Sequence, residues 1–334
     1  MNETHTTRRT FLADAGMGFT GLALGSLLSD DGYAADAGTG QTPKASSVIW
    51  IFLAGGVSHM ESFDVKPALN KYAGMTFEET PFKEFLDKER IEKNLAGAGM
   101  TIPPRKELMA LNTSYQRYGE CGLRVGDWFS HIGECADDLA VVRSLWTVHP
   151  NHGMQLTWHT GMHVREGAQP TIGAWASYGL GSMNEELPKF VVMGKSIGGC
   201  CGGEFGHGAS YLGPQHAGVK LSTDPLAPLP FVSPYGSGVT DEEADAQLQL
   251  IGRLNQAAGV QYPDDPDLLA RIRSYEMAFR MQTAAPELFD LHSESESTRK
   301  LYGLEESATK ASGRGCLLAR RMVERGVRFV QVRI

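Results

Sequence analysis

Val48-Ile49-Trp50-Ile51-Phe52-Leu53 is followed at once by Ala54-Gly55-Gly56. Six consecutive apolar residues, rich in β-branched and aromatic types, read as a strand buried on both faces. The glycines behind it read as a tight loop at the strand's carboxyl end. Leu139–Arg143 (LAVVR), Phe190–Met193 (FVVM) and Val327–Val332 (VRFVQV) are three further short strands by the same criterion. Helical patterns fall between them. Trp128–Cys135 precedes the second strand and Ile172–Tyr178 follows it. A long helix runs from Asp241 to about Gln282, broken near Tyr262-Pro263 and restarted behind Asp265-Pro266. Ser312–Arg325 is the last helix, with Arg320, Arg321 and Arg325 suited to its C-terminus and Gly326 to a left-handed cap. Strands alternating with helices predict an α/β fold with a mainly parallel, doubly wound sheet.

Upstream of the sheet lies Thr7-Arg8-Arg9-Thr10-Phe11-Leu12, which has the form of a twin-arginine export signal. The stretch Ala13–Leu28 behind it carries four glycines and an Asp, too polar and too short for a membrane span. Ala35-Asp36-Ala37 offers a small-x-small cleavage pattern. The expected organisation is a signal peptide over residues 1–37, a Gly, Thr, Pro and Ser linker over 38–46, and one domain over 47–334. The signal predicts a periplasmic or extracellular protein that meets the twin-arginine translocase during export. That pathway carries folded proteins, often with a cofactor already loaded, which hints at a metal.

The 334-residue chain has a net charge of −8 and no basic run beyond the signal, so nucleic acid is not an expected partner. No other apolar run approaches membrane-spanning length, so no transmembrane segment is expected. The acidic stretch Asp241–Asp245 reads as a solvated helix start. Five cysteines at irregular spacing make no disulfide framework. Cys121 and Cys135 could pair, but small apolar packing is the simpler reading.

In a parallel sheet the ligand crevice lies at the carboxyl ends of the strands. The loop after the first strand holds His59, Glu61 and Asp64, which offer nitrogen and oxygen metal ligands. Asp64 could equally cap a helix starting near Val65, and His59 alone could be a solvated loop histidine. The loop after the second strand carries His149, His152, His159 and His163, four of the chain's ten histidines. Asn151 suits an N-cap, which puts His152 in the first turn, where free N–H groups favour an anion. His149 and His152 read as site residues. His159 and His163 read as packed among Trp158 and Met162, with Thr160-Gly161 ending the helix.

Ile49–Leu69 (IWIFLAGGVSHMESFDVKPAL), Asn151-His152-Gly153 with Thr160-Gly161, Ser274–Gln282 (SYEMAFRMQ) and Cys316–Val332 (CLLARRMVERGVRFVQV) together resemble a large bacterial family of exported proteins of unknown function. That family is assigned to the alkaline phosphatase/sulfatase-like superfamily. The resemblance implies a doubly wound α/β core and an ancestry of ester hydrolysis dependent on a divalent metal ion. It supplies no substrate, because the family has none established; a small-molecule or glycan ester is the partner class that such an ancestry suggests. Two departures bear on activity. Sulfatases place paired Asp residues after the first strand, where Gly55-Gly56 stand here, so ligands must come from Glu61, Asp64 and His59. The position of the sulfatase nucleophile, counted back from Thr160-Gly161, holds Asn151, which can ligate a metal or donate to an oxyanion but not attack. The family normally continues beyond Val332 into a His/Asp loop and a late Glu-Phe-Gly segment.

Three expectations follow. The first is an exported metal-dependent ester hydrolase using His149, Asn151 and His152 for chemistry. The second is a non-catalytic binding protein at the cell surface. The third is a chain interrupted by a frameshift or early stop, with Val327–Val332 left lacking sheet partners and an edge open. Glu204-Phe205-Gly206-His207 looks like the family's late segment, but its position after the third strand reads as coincidence.

Overall fold

The computed structural model describes residues 45–85, 89, 106–145, 147, 152–162, 166–195, 202–223, 241–262, 265, 268, 272, 277 and 286–334. The export signal, His149, Asn151, His163, Cys200-Cys201 and most of Ser274–Gln282 lie outside the described residues. Strands are β1 (Val48–Phe52), β2 (Tyr115–Tyr118), β3 (Leu123–Gly126), β4 (Phe190–Gly194), β5 (Val219–Leu221) and β6 (Phe329–Arg333). Helices are α1 (Ala68–Lys71), α2 (Ser130–Gly133), α3 (Gln155–Thr160), α4 (Ile172–Leu180), α5 (Asp241–Gln261), α6 (Pro286–Phe289), α7 (Glu296–Leu301) and α8 (Lys310–Glu324). None of them is long and apolar enough to cross a membrane.

The chain forms two compact units. One comprises the chain up to Ala54 and Gln155–Ile334; the other is Gly55–Met154. The first contains a four-stranded sheet in the order β1-β6-β4-β5, parallel throughout. Its α/β character agrees with the alternation read from the sequence. Period-two alternation sends Val191, Met193, Val330 and Val332 to one face, where they pack with Leu317, Leu318 and Met322 of α8. Phe190, Val192 and Phe329 go to the other face, beside Ile172 and Ala176 of α4 and Trp50 of β1. Thr171 starts α4: its Oγ1 accepts from the Ala174 N–H and donates to the Gly208 carbonyl. α8 ends as its sequence foretells, with Gly326 at φ +90°.

Three expectations are corrected. β6 is not left without partners; it lies between β1 and β4, and all five of its residues are buried. β1, expected to be covered on both faces, is the edge strand of the sheet among the described residues, and Ile51 is 53% exposed. Leu139–Arg143 is no strand. Val141 satisfies its apolar side chain by packing with Leu123, Val125 and Ala136, and no neighbouring ladder is offered among the described residues.

The second unit has the antiparallel hairpin β2–β3, which the sequence reading missed. Asp137 closes its turn, accepting from the Glu120 N–H at 2.9 Å and the Cys121 N–H at 2.8 Å. Cys121 and Cys135 are free thiols.

Candidate functional site

The loop after β1 places His59, Glu61 and Asp64 within six residues, but each side chain is committed differently. His59 is exposed at the start of a 3-10 turn over His59–Glu61. The Glu61 Oε1 accepts the Asn112 N–H at 2.6 Å. That backbone donor, helped by Ser58, holds the Glu61 carboxyl below its usual range. Asp64 caps no helix; its Oδ1 pairs with Lys66 at 2.9 Å and lies 3.9 Å from Arg143. His152 opens a 3-10 turn, His152–Met154, that runs into α3. Among the described residues no three His, Cys, Asp or Glu side chains converge on a point that could hold a metal ion.

The ionisable groups that do converge stand at the carboxyl end of the sheet. Arg333 is the last residue of β6 and is only 4% exposed. Its Nη2 lies 3.1 Å from the Nδ1 of His207. A guanidinium can only donate, so Nδ1 must be the acceptor and the His207 proton must sit on Nε2. That Nε2 lies 3.0 Å from the Glu204 Oε2, which accepts it. The other Glu204 oxygen pairs with Lys220 of β5. The chain Arg333–His207–Glu204–Lys220 thus runs from the buried strand end to a carboxylate that is 75% exposed. Burial, then the Arg333 cation, push His207 down to about 4, with Glu204 pulling the other way. His207 is therefore neutral at pH 7, and its bond to Glu204 is a charge-assisted hydrogen bond rather than an ion pair.

His159 of α3 is 1% exposed. Its ring centroid lies 4.4 Å from that of Phe52 and 6.2 Å from that of Trp50, both on β1. Burial, Arg333 and His207 push it down to about 4. Neither ring nitrogen has a hydrogen-bond partner among the described residues. The reading of His159 as packed is correct, but its neighbours include the Arg333 charge rather than Trp158 and Met162 alone. Glu204 and His207, dismissed by position, and Arg333 were the groups sequence reasoning missed. The signal was available in part: Arg333 continues the VRFVQV run at the carboxyl end of a strand, where ligands gather.

On the α8 side of the same edge a cleft of about 420 Å³ is lined by Gly194, Ser222, Thr223, Ser307, Lys310 and Arg314 among others. The Arg314 Nε donates to the Thr223 carbonyl at 2.9 Å, which fixes the guanidinium at the cleft wall. Lys310 and Arg314 lie at the start of α8, where the helix dipole also favours negative charge.

These features define an α/β protein built on a parallel sheet, with its ionisable groups gathered at the strands' carboxyl ends. The chain belongs to the DUF1501 family, described as a protein of unknown function, which it matches over residues 45–334. No curated protein and no solved structure matches it.

Proposed function

We propose that this protein binds a phosphate or sulfate ester outside the cytoplasm, as a member of the alkaline phosphatase/sulfatase-like superfamily. The observation that carries the reading is the cleft at the sheet's carboxyl edge, where Lys310 and Arg314 stand with the hydroxyls of Ser222, Thr223 and Ser307. Two cations and three hydroxyls suit the oxygens of a tetrahedral anion, and the cleft sits where parallel sheets take their ligands. The export signal and the family resemblance support the cellular setting and the ester class. The test is a thermal-shift and turnover panel of aryl phosphates and sulfates on the purified full chain. A saturable rise in Tm that Lys310→Ala and Arg314→Ala abolish supports the reading. No shift with any ester overturns it.

A second reading is metal-dependent hydrolysis, with Glu61, Asp64 and His59 as ligands and His149, Asn151 and His152 beside the ester. It is favoured by the placement of His59, Glu61 and Asp64 in the loop that follows the carboxyl end of β1. Turnover that appears with an added divalent metal ion, and falls with Asp64→Ala, would select it over simple binding.

A further inference from the structure

The second unit carries a cleft of its own, between α1 and the start of β2. Its volume is about 440 Å³, and it is lined by Asn70, Leu111, Asn112, Thr113, Ser114 and Tyr115. That volume falls in the range of small-ligand sites. Leu111, Thr113 and Tyr115 are half-buried, and Asn70, Asn112 and Ser114 are exposed. Among the described residues no charged side chain lines it.

The wall is held in place before any ligand arrives. The Leu111 N–H donates to the Asn70 Oδ1 at 2.9 Å, and the Asn112 N–H to the Glu61 Oε1 at 2.6 Å. The Ser114 carbonyl accepts the Asp127 N–H at 3.0 Å and the Thr113 hydroxyl at 3.2 Å. Tyr115 then enters β2, paired with Gly126 of β3, whose N–H donates to the Ser62 carbonyl at 2.8 Å. The strip 111–115 is thus tied to α1, to the loop after β1 and to the hairpin. A preformed wall loses little freedom when a ligand binds.

The same bonds decide which atoms are left for a ligand. An amide whose oxygen is taken offers its Nδ2 protons, so Asn70 is a donor. The Asn112 side chain also donates to the Glu61 carboxylate, so its own oxygen is an acceptor. Thr113 uses its hydroxyl proton on Ser114 and accepts. The Ser114 and Tyr115 hydroxyls do either, and Leu111 with the Tyr115 ring adds an apolar patch. An ionic ligand would shed water here with no opposite charge to meet it. A wholly apolar ligand would strip water from the amides and hydroxyls. Closely set donors and acceptors beside an apolar patch match vicinal hydroxyls on a ring with C–H faces.

We propose that Asn70, Asn112, Thr113, Ser114 and Tyr115 form a binding site for an uncharged sugar ring. The site shares no residue with the cleft of Lys310 and Arg314 and does not rest on the ester reading.

Saturation-transfer NMR on the full chain tests it, with maltotriose, cellotriose, mannotriose and xylotriose as probes and trigalacturonate as the charged counterpart. At least one neutral trisaccharide should show saturable transfer with a Kd on the order of 1 mM, the scale of a few neutral hydrogen bonds. Trigalacturonate should show none. Asn112→Ala and Thr113→Val should each weaken binding by about fivefold, the effect of one such bond. Thr113→Val keeps the shape of the side chain, so it stays informative if Asn112→Ala disturbs the Glu61 contact. Transfer to none of the four sugars overturns the site, and so does unchanged affinity in Thr113→Val. Equal binding of trigalacturonate overturns the assignment to an uncharged ligand. Sugar binding that falls in Lys310→Ala and is kept in Thr113→Val places the sugar in the other cleft, which overturns this inference and leaves the ester reading standing.

Discussion

The guanidinium of Arg333 and the imidazole of His207 meet at 3.1 Å, with Nη2 donating to Nδ1. One bond settles three properties. It fixes the His207 tautomer, directs the Nε2 proton to Glu204, and opposes a second charge on the ring. A strand-end cation and a loop histidine 126 residues apart in sequence thus behave as one unit.

That unit makes stability depend on pH. His159 and His207 both sit near 4 in the folded protein, against an ordinary value of 6.5. The folded form stays neutral while the unfolded chain takes up protons. Stability is therefore complete above about pH 6.5, falls as pH drops toward 4, and levels off below. Each fully shifted histidine contributes on the order of 3 kcal/mol to that loss. Urea midpoints measured from pH 7.5 to 4 should show the fall, and His159→Phe should remove about half of it. A wild-type curve that is flat between pH 6.5 and 4.5 contradicts the assignment.

Gly194 and Arg333 impose a backbone constraint at the same edge. Gly194 has φ +93°, and a Cβ there would come within 1.9 Å of the Arg333 carbonyl oxygen. Gly194→Ala combines left-handed strain with a clash against a strand backbone. It is expected to cost about 2–4 kcal/mol. Chemical denaturation reads it directly. A loss under 1 kcal/mol means the β4 and β6 ends can separate without consequence.

Three of the sheet's strands were legible because they are mostly apolar runs: VIWIFL, FVVM and VRFVQV each became a strand, whereas the three-residue β5 is too short to show. Leu139–Arg143 has the same composition and failed, because a short apolar run can be buried by side-chain packing alone, as Val141 is. The β2–β3 hairpin was missed since Tyr115-Gln116-Arg117-Tyr118 is mostly polar, and Asp137, from a distant turn, closes its loop. The candidate site was legible only as a rule about strand ends. Which loops reach those ends depends on strand order, and the order β1-β6-β4-β5 is not sequential. Glu204 and His207 therefore gained a role that their sequence position gave no reason to expect.

Arg321 shows the same limit on α8. The sequence reads it only as a charge suited to the helix C-terminus. It is buried instead, with Nη1 at 2.9 Å from Glu294 Oε1 and 3.1 Å from the Asp290 carbonyl, and Nη2 at 2.6 Å from the Glu287 carbonyl. The guanidinium ties α8 to α6 and to the segment that follows it. Removing one partner of a buried pair leaves the other charge stranded, so Arg321→Ala should cost about 3–5 kcal/mol. Arg320→Ala nearby loses a more exposed pair with the same carboxylate and should cost about 1 kcal/mol or less. Equal losses in the two variants contradict the distinction.

The proposed export rests on Arg8-Arg9 and can be tested apart from any chemistry. The translocase reads the paired guanidinium groups, and lysine keeps the charge while losing the planar fork. Replacing Arg8 and Arg9 together by Lys should leave the full chain in the cytoplasm at normal abundance. Fractionation of cells expressing wild-type and variant chains, with a cytoplasmic marker enzyme to score lysis, separates the outcomes. Wild-type protein in the periplasmic fraction and variant in the cytoplasm support twin-arginine export. Equal distribution of the two removes the signal, and with it the extracytoplasmic setting of the proposed ester. The carboxyl-edge cleft is a feature of the fold itself, so its binding test on the purified protein keeps its meaning either way.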